Sequence, residues 1–314
     1  MSINRRNLLS IGAAVTGAAV VGGPAAASAS AASLPAGFRS AYAKVNGARL
    51  HYVAGGQGQP LVLLPGWPQT WWEYRKVMPA LAQRYRVIVA ELRGMGGSDK
   101  PAAGYDKKNM AKDIYELIRQ LGYSSAHVAG HDIGSMVAFS FAVNHPDATR
   151  SVTLMDVSHP DEGLFRIPML TPPGQPFNLW WFAFNQVQGL PEQLLAGRFR
   201  YLVDWTFDNL LENRAAVNDR DRAIYAAAYD HPEAIRAGNA WYKAFNQDIA
   251  DGKTYGKIAA PLLGLASPMN YDYFSADLPT RGVNVKVEKI DNTGHFLVEE
   301  QPAAVVSALS AFVG

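Results

Sequence analysis

The stretch Ala126-His127-Val128-Ala129-Gly130-His131-Asp132-Ile133-Gly134 decides the fold. Its first four residues read as a short buried strand. From Ile133 to Asn144 the chain is apolar and helical. Between them, Gly130 and Gly134 flank Asp132 by two positions on each side. That is the spacing of a tight strand-to-helix turn that lifts one side chain above a sheet edge. Here that side chain is a carboxylate. A Gly-x-Asp-x-Gly in isolation is equally a helix N-cap beside a glycine-rich turn. The strand before it and the helix after it point to a presented nucleophile.

Outward from this turn, strand and helix alternate. Ala41–Val45 and Ala48–Val53 flank Asn46-Gly47, a two-residue hairpin signal. Pro60–Leu64 is a continuous apolar run, as in a strand buried on both faces. A helix is predicted from about Trp72 to Arg84, then strands at Arg86–Ala90 and Ser151–Met155 with a helix over Met110–Leu121 between them. This alternation implies a parallel sheet. It stops after Val157. Residues 158–257 are aromatic-rich and helix-like without a strong strand, and read as an inserted helical cap. Strands resume at Pro261–Leu265 and Val283–Val287, and a last helix spans Pro302–Phe312. The core is therefore 30–157 together with 258–314.

Composition narrows the function. The chain has 314 residues, 48% hydrophobic and 18% charged, which is ordinary for a globular protein. A net charge of +2 gives no field for nucleic acid or an anionic membrane. A small-molecule substrate is expected. Arg5-Arg6, an apolar Gly/Ala-rich stretch and Ala27-Ser28-Ala29 resemble a twin-arginine export signal over residues 1–29. The expectation is a periplasmic or secreted enzyme without a stable membrane anchor. There are no cysteines, so disulfides play no part. The histidines show no His-Glu-x-x-His pattern, so no metal is expected. Gly94-Met95-Gly96-Gly97-Ser98 lacks the lysine of a phosphate loop, so no nucleotide cofactor is expected either.

Aspartate in the turn sets the chemistry. A carboxylate needs no base to attack an sp³ carbon carrying a leaving group, and the product is an alkyl-enzyme ester. Hydrolysis of that ester needs a base. His295, in Asp291-Asn292-Thr293-Gly294-His295-Phe296, lies between the last strand and the last helix. His131 adjoins the nucleophile but points away from it on such a turn, and reads as structural. Pro65-Gly66-Trp67-Pro68 follows the first buried strand. Its turn can aim the Trp67 amide at the oxygen that the Ile133 amide also faces. Pro68 is a candidate cis-proline.

With these residues placed, the chain resembles the epoxide hydrolase and haloalkane dehalogenase branch of the α/β-hydrolase superfamily, over about residues 38–313. Pro65–Trp72, Leu92–Pro101, Gly130–Gly134 and Gly294–Phe296 carry the likeness. It implies a mostly parallel eight-stranded sheet flanked by helices, with the cap inserted. Two departures stand out. The branch's usual His-Gly-x-Pro reads Pro-Gly-x-Pro. The acid that usually follows the strand at 261–266 is missing from Ala266-Ser267-Pro268-Met269-Asn270. Asp156, at the end of the strand after the elbow helix, is the favoured substitute for orienting His295; Asp272 is the second, and a site without an acid the third.

The resemblance also implies cap donors for the leaving group. Trp180-Trp181 stands where the first is expected and Tyr242 where the second is. A tyrosine protonates an alkoxide, whereas an indole N–H only hydrogen-bonds it. Trp180, Trp181, Phe184 and the Trp67 ring are the expected substrate wall, suited to a bulky apolar or aromatic epoxide. Haloalkane dehalogenases usually carry Trp directly after the nucleophile, and this chain has Ile133. Fluoroacetate-type enzymes place Arg there and shortly after; Ile133, Ser135 and Met136 supply none. The expected reaction is thus epoxide hydrolysis. Dehalogenation by the same covalent route is the first alternative, and a noncatalytic binding protein the second.

Overall fold

A hairpin starts the sheet: Phe38–Val45 (β1) and Ala48–Gly55 (β2) pair antiparallel around Asn46-Gly47, both at positive φ. A computed structural model describes residues 32–314. Residues 1–29, where a twin-arginine signal is expected, therefore lie outside the described residues. Six further strands follow: Gln59–Leu64 (β3), Tyr85–Ala90 (β4), Ala126–His131 (β5), Thr149–Met155 (β6), Leu262–Ala266 (β7) and Val285–Lys289 (β8). Their spatial order is β1-β2-β4-β3-β5-β6-β7-β8, and every pair from β4 onward is parallel. The central strands β3, β5 and β7 are buried almost residue for residue, while β1 and β8 alternate or stay half-exposed. Helices on both faces remove water from the middle of the sheet and leave its edges wet.

Among the described residues there are twelve α-helices: Met78–Leu81 (α1), Lys107–Gln120 (α2), Ile133–Asn144 (α3), Trp180–Gln186 (α4), Leu190–Leu195 (α5), Phe199–Leu210 (α6), Asp219–Tyr229 (α7), Pro232–Lys243 (α8), Phe245–Gly252 (α9), Tyr271–Arg281 (α10), Leu297–Glu300 (α11) and Pro302–Val313 (α12). The six from α4 to α9 fall between β6 and β7, and no strand forms among residues 158–257.

Two sequence expectations shift. The helix predicted over 72–84 is instead a 3₁₀ segment, Trp71–Lys76, followed by the one-turn α1. Trp71, Trp72, Glu73 and Tyr74 are all buried in succession. A one-sided amphipathic helix could not bury four neighbours. The last strand begins at Val285 rather than Val283. Val283 is 73% exposed, and pairing with β7 starts at Leu262 opposite Val285.

Two buried ionic groups fasten the helices of 158–257 to the sheet domain. The Lys107 ammonium, at the start of α2, lies 2.8 Å from Asp248 of α9 and donates to the Trp241 carbonyl; both charged side chains are fully buried. On the other side Arg75 bridges Asp221 of α7 and Glu299 of α11, and the Tyr225 hydroxyl donates to Glu299. Burying such charges is tolerable only with this degree of pairing.

Candidate active site

β5 ends at His131 and α3 starts at Ile133, so Asp132 alone makes the turn, at φ 51° and ψ −121°. A non-glycine residue there costs on the order of 1–3 kcal/mol. The turn closes only because its flanks are glycine. A Cβ on Gly130 would overlap the Gly134 carbonyl, and one on Gly134 would overlap the Leu64 carbonyl of β3. Asp132 is thereby held at the C-terminal edge of the sheet beside the loop after β3. There the Trp67 N–H donates to Asp132 Oδ1 at 2.9 Å. The Trp67-Pro68 peptide is cis. Ile133 contributes the first residue of α3, whose positive helix end faces the turn.

His295 reaches Asp132 from the loop after β8. Its Nε2 lies 3.5 Å from Asp132 Oδ2, and its Nδ1 is 2.8 Å from Asp156 Oδ2. Asp156 follows β6 directly, at φ 60°, and its side chain is fully buried. Its remaining bonds come from the loop after β7. Ser267 N–H donates to Oδ1 at 2.7 Å, and Asn270 Nδ2 donates to Oδ2 at 2.8 Å. The segment without a carboxylate therefore supplies the donors that hold one. Asp272, on the first turn of α10, is exposed and is not the residue paired with His295.

The charges follow from this packing. Burial opposes charging His295, but hydrogen bonds and charge from Asp132 and Asp156 outweigh it and raise its pKa to about 10. Burial likewise opposes the Asp132 carboxylate. The His295 hydrogen bond and charge, the His131 ring and the Trp67 amide together hold its pKa below the usual value. The resting site is an imidazolium between two carboxylates.

His131 is fully buried and turned away from the cleft. Its Nε2–H donates to the His295 carbonyl at 2.8 Å. Its Nδ1 is 3.0 Å from Glu73 Oε1, off the line of a hydrogen bond. Glu73 Oε2 accepts the Gly66 N–H at 3.0 Å. One buried carboxylate thus touches both the Trp67 loop and the ring behind the nucleophile.

Above Asp132 lies a cleft of about 250 Å³, lined at its floor by Asp132, Asp156 and His295. Met136, Phe177, Leu179, Trp181, Phe182 and Leu210 make much of its apolar wall. Of the expected wall residues, only Trp181 lines it. Trp180 and Phe184 are four apart on α4 and meet edge to face, 5.7 Å between ring centroids, so they share a helix face other than the one that Trp181 turns to the cleft. The Trp67 ring is buried edge-on against Tyr242, 5.6 Å between centroids. Tyr242 is itself 1% exposed, just behind the lining, with the Trp181 and Asn185 side chains as polar neighbours. Burial, and then the charge of Asp132, push its phenol well above its ordinary pKa, so it keeps its proton.

Residues 59–218 match the family model described as alpha/beta hydrolase fold, about half of the chain. A soluble epoxide hydrolase from Corynebacterium sp. (strain C12) is 33% identical over 290 residues, covering 86% of this chain and 95% of that one. The chain belongs to the α/β-hydrolase family, in its epoxide hydrolase branch. It is a hydrolase. Among solved structures, the epoxide hydrolase CorEH without ligand superposes with a TM-score of 0.75 at 32% identity, covering 88% of this chain and 98% of that one. Cfl2 from Burkholderia cenocepacia gives 0.79 at 32% identity, with 88% and 96% covered. A fluoroacetate dehalogenase from Burkholderia sp. is 39% identical over 126 residues, only 38% of this chain and 41% of that one.

Several site residues of this α/β-hydrolase escape a sequence reading. Glu73 had one signal: it is a lone charge inside the apolar run Trp71-Trp72-Glu73-Tyr74. Asn270 had none, because its amide matters only once the loop after β7 meets Asp156. Phe177, Leu179, Met269 and Tyr273 reach the cleft from segments without a motif.

Proposed function

We propose that this enzyme opens an epoxide through an ester on Asp132 and hydrolyses that ester with water activated by His295. The observation that carries the reading is His295, held between Asp132 at 3.5 Å and Asp156 at 2.8 Å. In the first step an Asp132 carboxylate oxygen attacks an epoxide carbon. The carbon–oxygen bond of the ring breaks, and the Tyr242 hydroxyl gives its proton to the departing alkoxide. Esterification removes the charge on Asp132. The support that Asp132 gives to the raised His295 pKa goes with it, so the imidazolium releases its proton, which restores the Tyr242 hydroxyl, and His295 becomes a base. Neutral His295 then takes a proton from water while Asp156 holds the ring. The hydroxide adds to the ester carbonyl, and the oxyanion receives the Trp67 and Ile133 amides. Collapse frees the diol and restores Asp132. Relatives that bear the name epoxide hydrolase support the same reading.

A single turnover in heavy-oxygen water tests the route. The label is expected in Asp132, and the first diol carries the old carboxylate oxygen. Label found directly in first-turnover diol defeats the covalent step. Dehalogenation has one observation in its favour, the Trp181 side chain on the cleft wall, which offers an N–H to a halide. Halide release from an alkyl halide panel is its test. A binding protein without catalysis predicts that Asp132→Asn leaves ligand affinity and phenotype intact.

Export through the twin-arginine route is a further part of the proposal, resting on Arg5-Arg6 and the apolar stretch after them. Among the described residues no helix is long and apolar enough to cross a membrane. Replacing Arg5-Arg6 by Lys-Lys is expected to leave the full-length precursor inside the cell.

A further inference from the structure

A second groove, of about 330 Å³, adjoins the catalytic cleft. Leu164, Leu179 and Phe182 line both, so a single layer of side chains separates them. The groove's outer wall includes Phe165 and Met169, which are 66% and 90% exposed. Apolar side chains left in water at the rim of a concave surface mark a place that something apolar covers. Two facts about charge narrow what that is. Among the described residues, no Asp, Glu, Lys or Arg lines the second groove. The charged residues on the catalytic cleft are Asp132, Asp156, Asp161 and His295, so among the described residues neither chamber offers a Lys or Arg to an anion.

We propose that the substrate is an elongated, electrically neutral epoxide: the ring sits at Asp132, and a hydrocarbon arm passes the Leu164–Leu179–Phe182 partition into the second groove. The inference rests on the epoxide reading and adds the substrate class to it. A carboxylate at the end of that arm would be desolvated among Phe165, Met169 and Trp180, in a groove whose lining holds no Lys or Arg to receive it. An alkyl arm gains about two- to fourfold in binding for each methylene removed from water. Leu164, Leu179 and Phe182 become the specificity determinants, because their rotamers decide whether the arm gets through.

The full chain is assayed with straight-chain terminal epoxides from epoxybutane to epoxydodecane, and with epoxystearic acid against its methyl ester. kcat/KM is expected to climb about two- to fourfold per methylene until the groove is filled. The methyl ester is expected to exceed the free acid at least roughly tenfold. Ala183→Glu places a charge in the second groove from an exposed position on α4 that does not line the catalytic cleft. It should return epoxydodecane to near the epoxybutane rate and leave epoxybutane within about twofold. A flat chain-length series, a preference for the free acid, or an equal loss on both epoxides in Ala183→Glu overturns the inference while leaving epoxide hydrolysis in place. Failure of every epoxide, short ones included, overturns the underlying reading and the inference with it.

Discussion

The Nδ1–H of His295 donates to Oδ2 of Asp156 across 2.8 Å, joining the loop after β8 to the end of β6. Removing the charge on Asp156 takes away the group that orients the ring and stabilises its protonated form. Asp156→Asn is expected to slow ester hydrolysis on the order of a thousandfold. Alkylation should continue, so mass spectrometry should find the Asp132 ester accumulating. Asp272→Asn, at an exposed position, should keep wild-type turnover.

The His295 pKa, raised to about 10 from an ordinary 6.5, makes stability depend on pH. A group whose folded pKa is raised stabilises the native state fully below the unfolded pKa and loses that contribution as pH rises through the folded one. Unfolding free energy is therefore expected to fall between pH 6.5 and about pH 10. Denaturant titrations across that window should show a smaller fall in His295→Gln. In Asp132→Asn, proton titration by NMR should show the His295 pKa dropping, which is the charge change that esterification brings about.

Glu73 satisfies the Gly66 amide and faces His131 in a site closed to water. Glu73→Leu leaves the buried Gly66 N–H without its acceptor, a loss of about 1–3 kcal/mol. Glu73→Gln keeps an acceptor for Gly66 and is expected to lose less. Chemical denaturation separates the two variants. Equal losses would place the effect in packing rather than in the hydrogen bond.

Lys107 and Asp248 pair at 2.8 Å with both side chains fully buried. Lys107→Met strands a carboxylate away from water and should cost about 3–5 kcal/mol. The double variant Lys107→Met, Asp248→Leu removes both charges and is expected to recover most of that. Thermal unfolding of the two singles and the double measures the coupling.

The Tyr242 phenol stays protonated because it is buried and faces the charge of Asp132. Tyr242→Phe is expected to slow ester formation on an epoxide by roughly 10²–10⁴. Breakdown of the ester should be unchanged. Rapid-quench measurements of the two half-reactions decide this.

The sheet and the elbow were legible because their signals are local. Pro60–Leu64 and Ala126–Ala129 are apolar runs of strand length, and the glycines at 130 and 134 are demanded by carbonyl oxygens that would otherwise be struck. The aromatic run at 71–74 was less readable. Burial on all sides there comes from α11 and α7 closing over it, through Arg75, Glu299 and Asp221, and no periodicity within the run encodes that. Trp180 and Trp181 show the same limit. Their adjacency in sequence made both candidates for the wall. Consecutive helical residues point about 100° apart, so only Trp181 meets the cleft.

By itself the sequence determined the strand–turn–helix around Asp132, the order of nucleophile before histidine, and the insertion of a helical segment between two strands. Backbone sterics and apolar patterning act over a few residues, so those features are written in the chain. Only the tertiary structure decided which carboxylate faces His295. Asp156 and Asp272 are equally acidic in sequence. What separates them is that β6 and β7 lie side by side, so Ser267 N–H and Asn270 Nδ2 reach Asp156, while α10 carries Asp272 out into water. A buried carboxylate persists where donors converge on it, and that convergence exists only after the chain has folded.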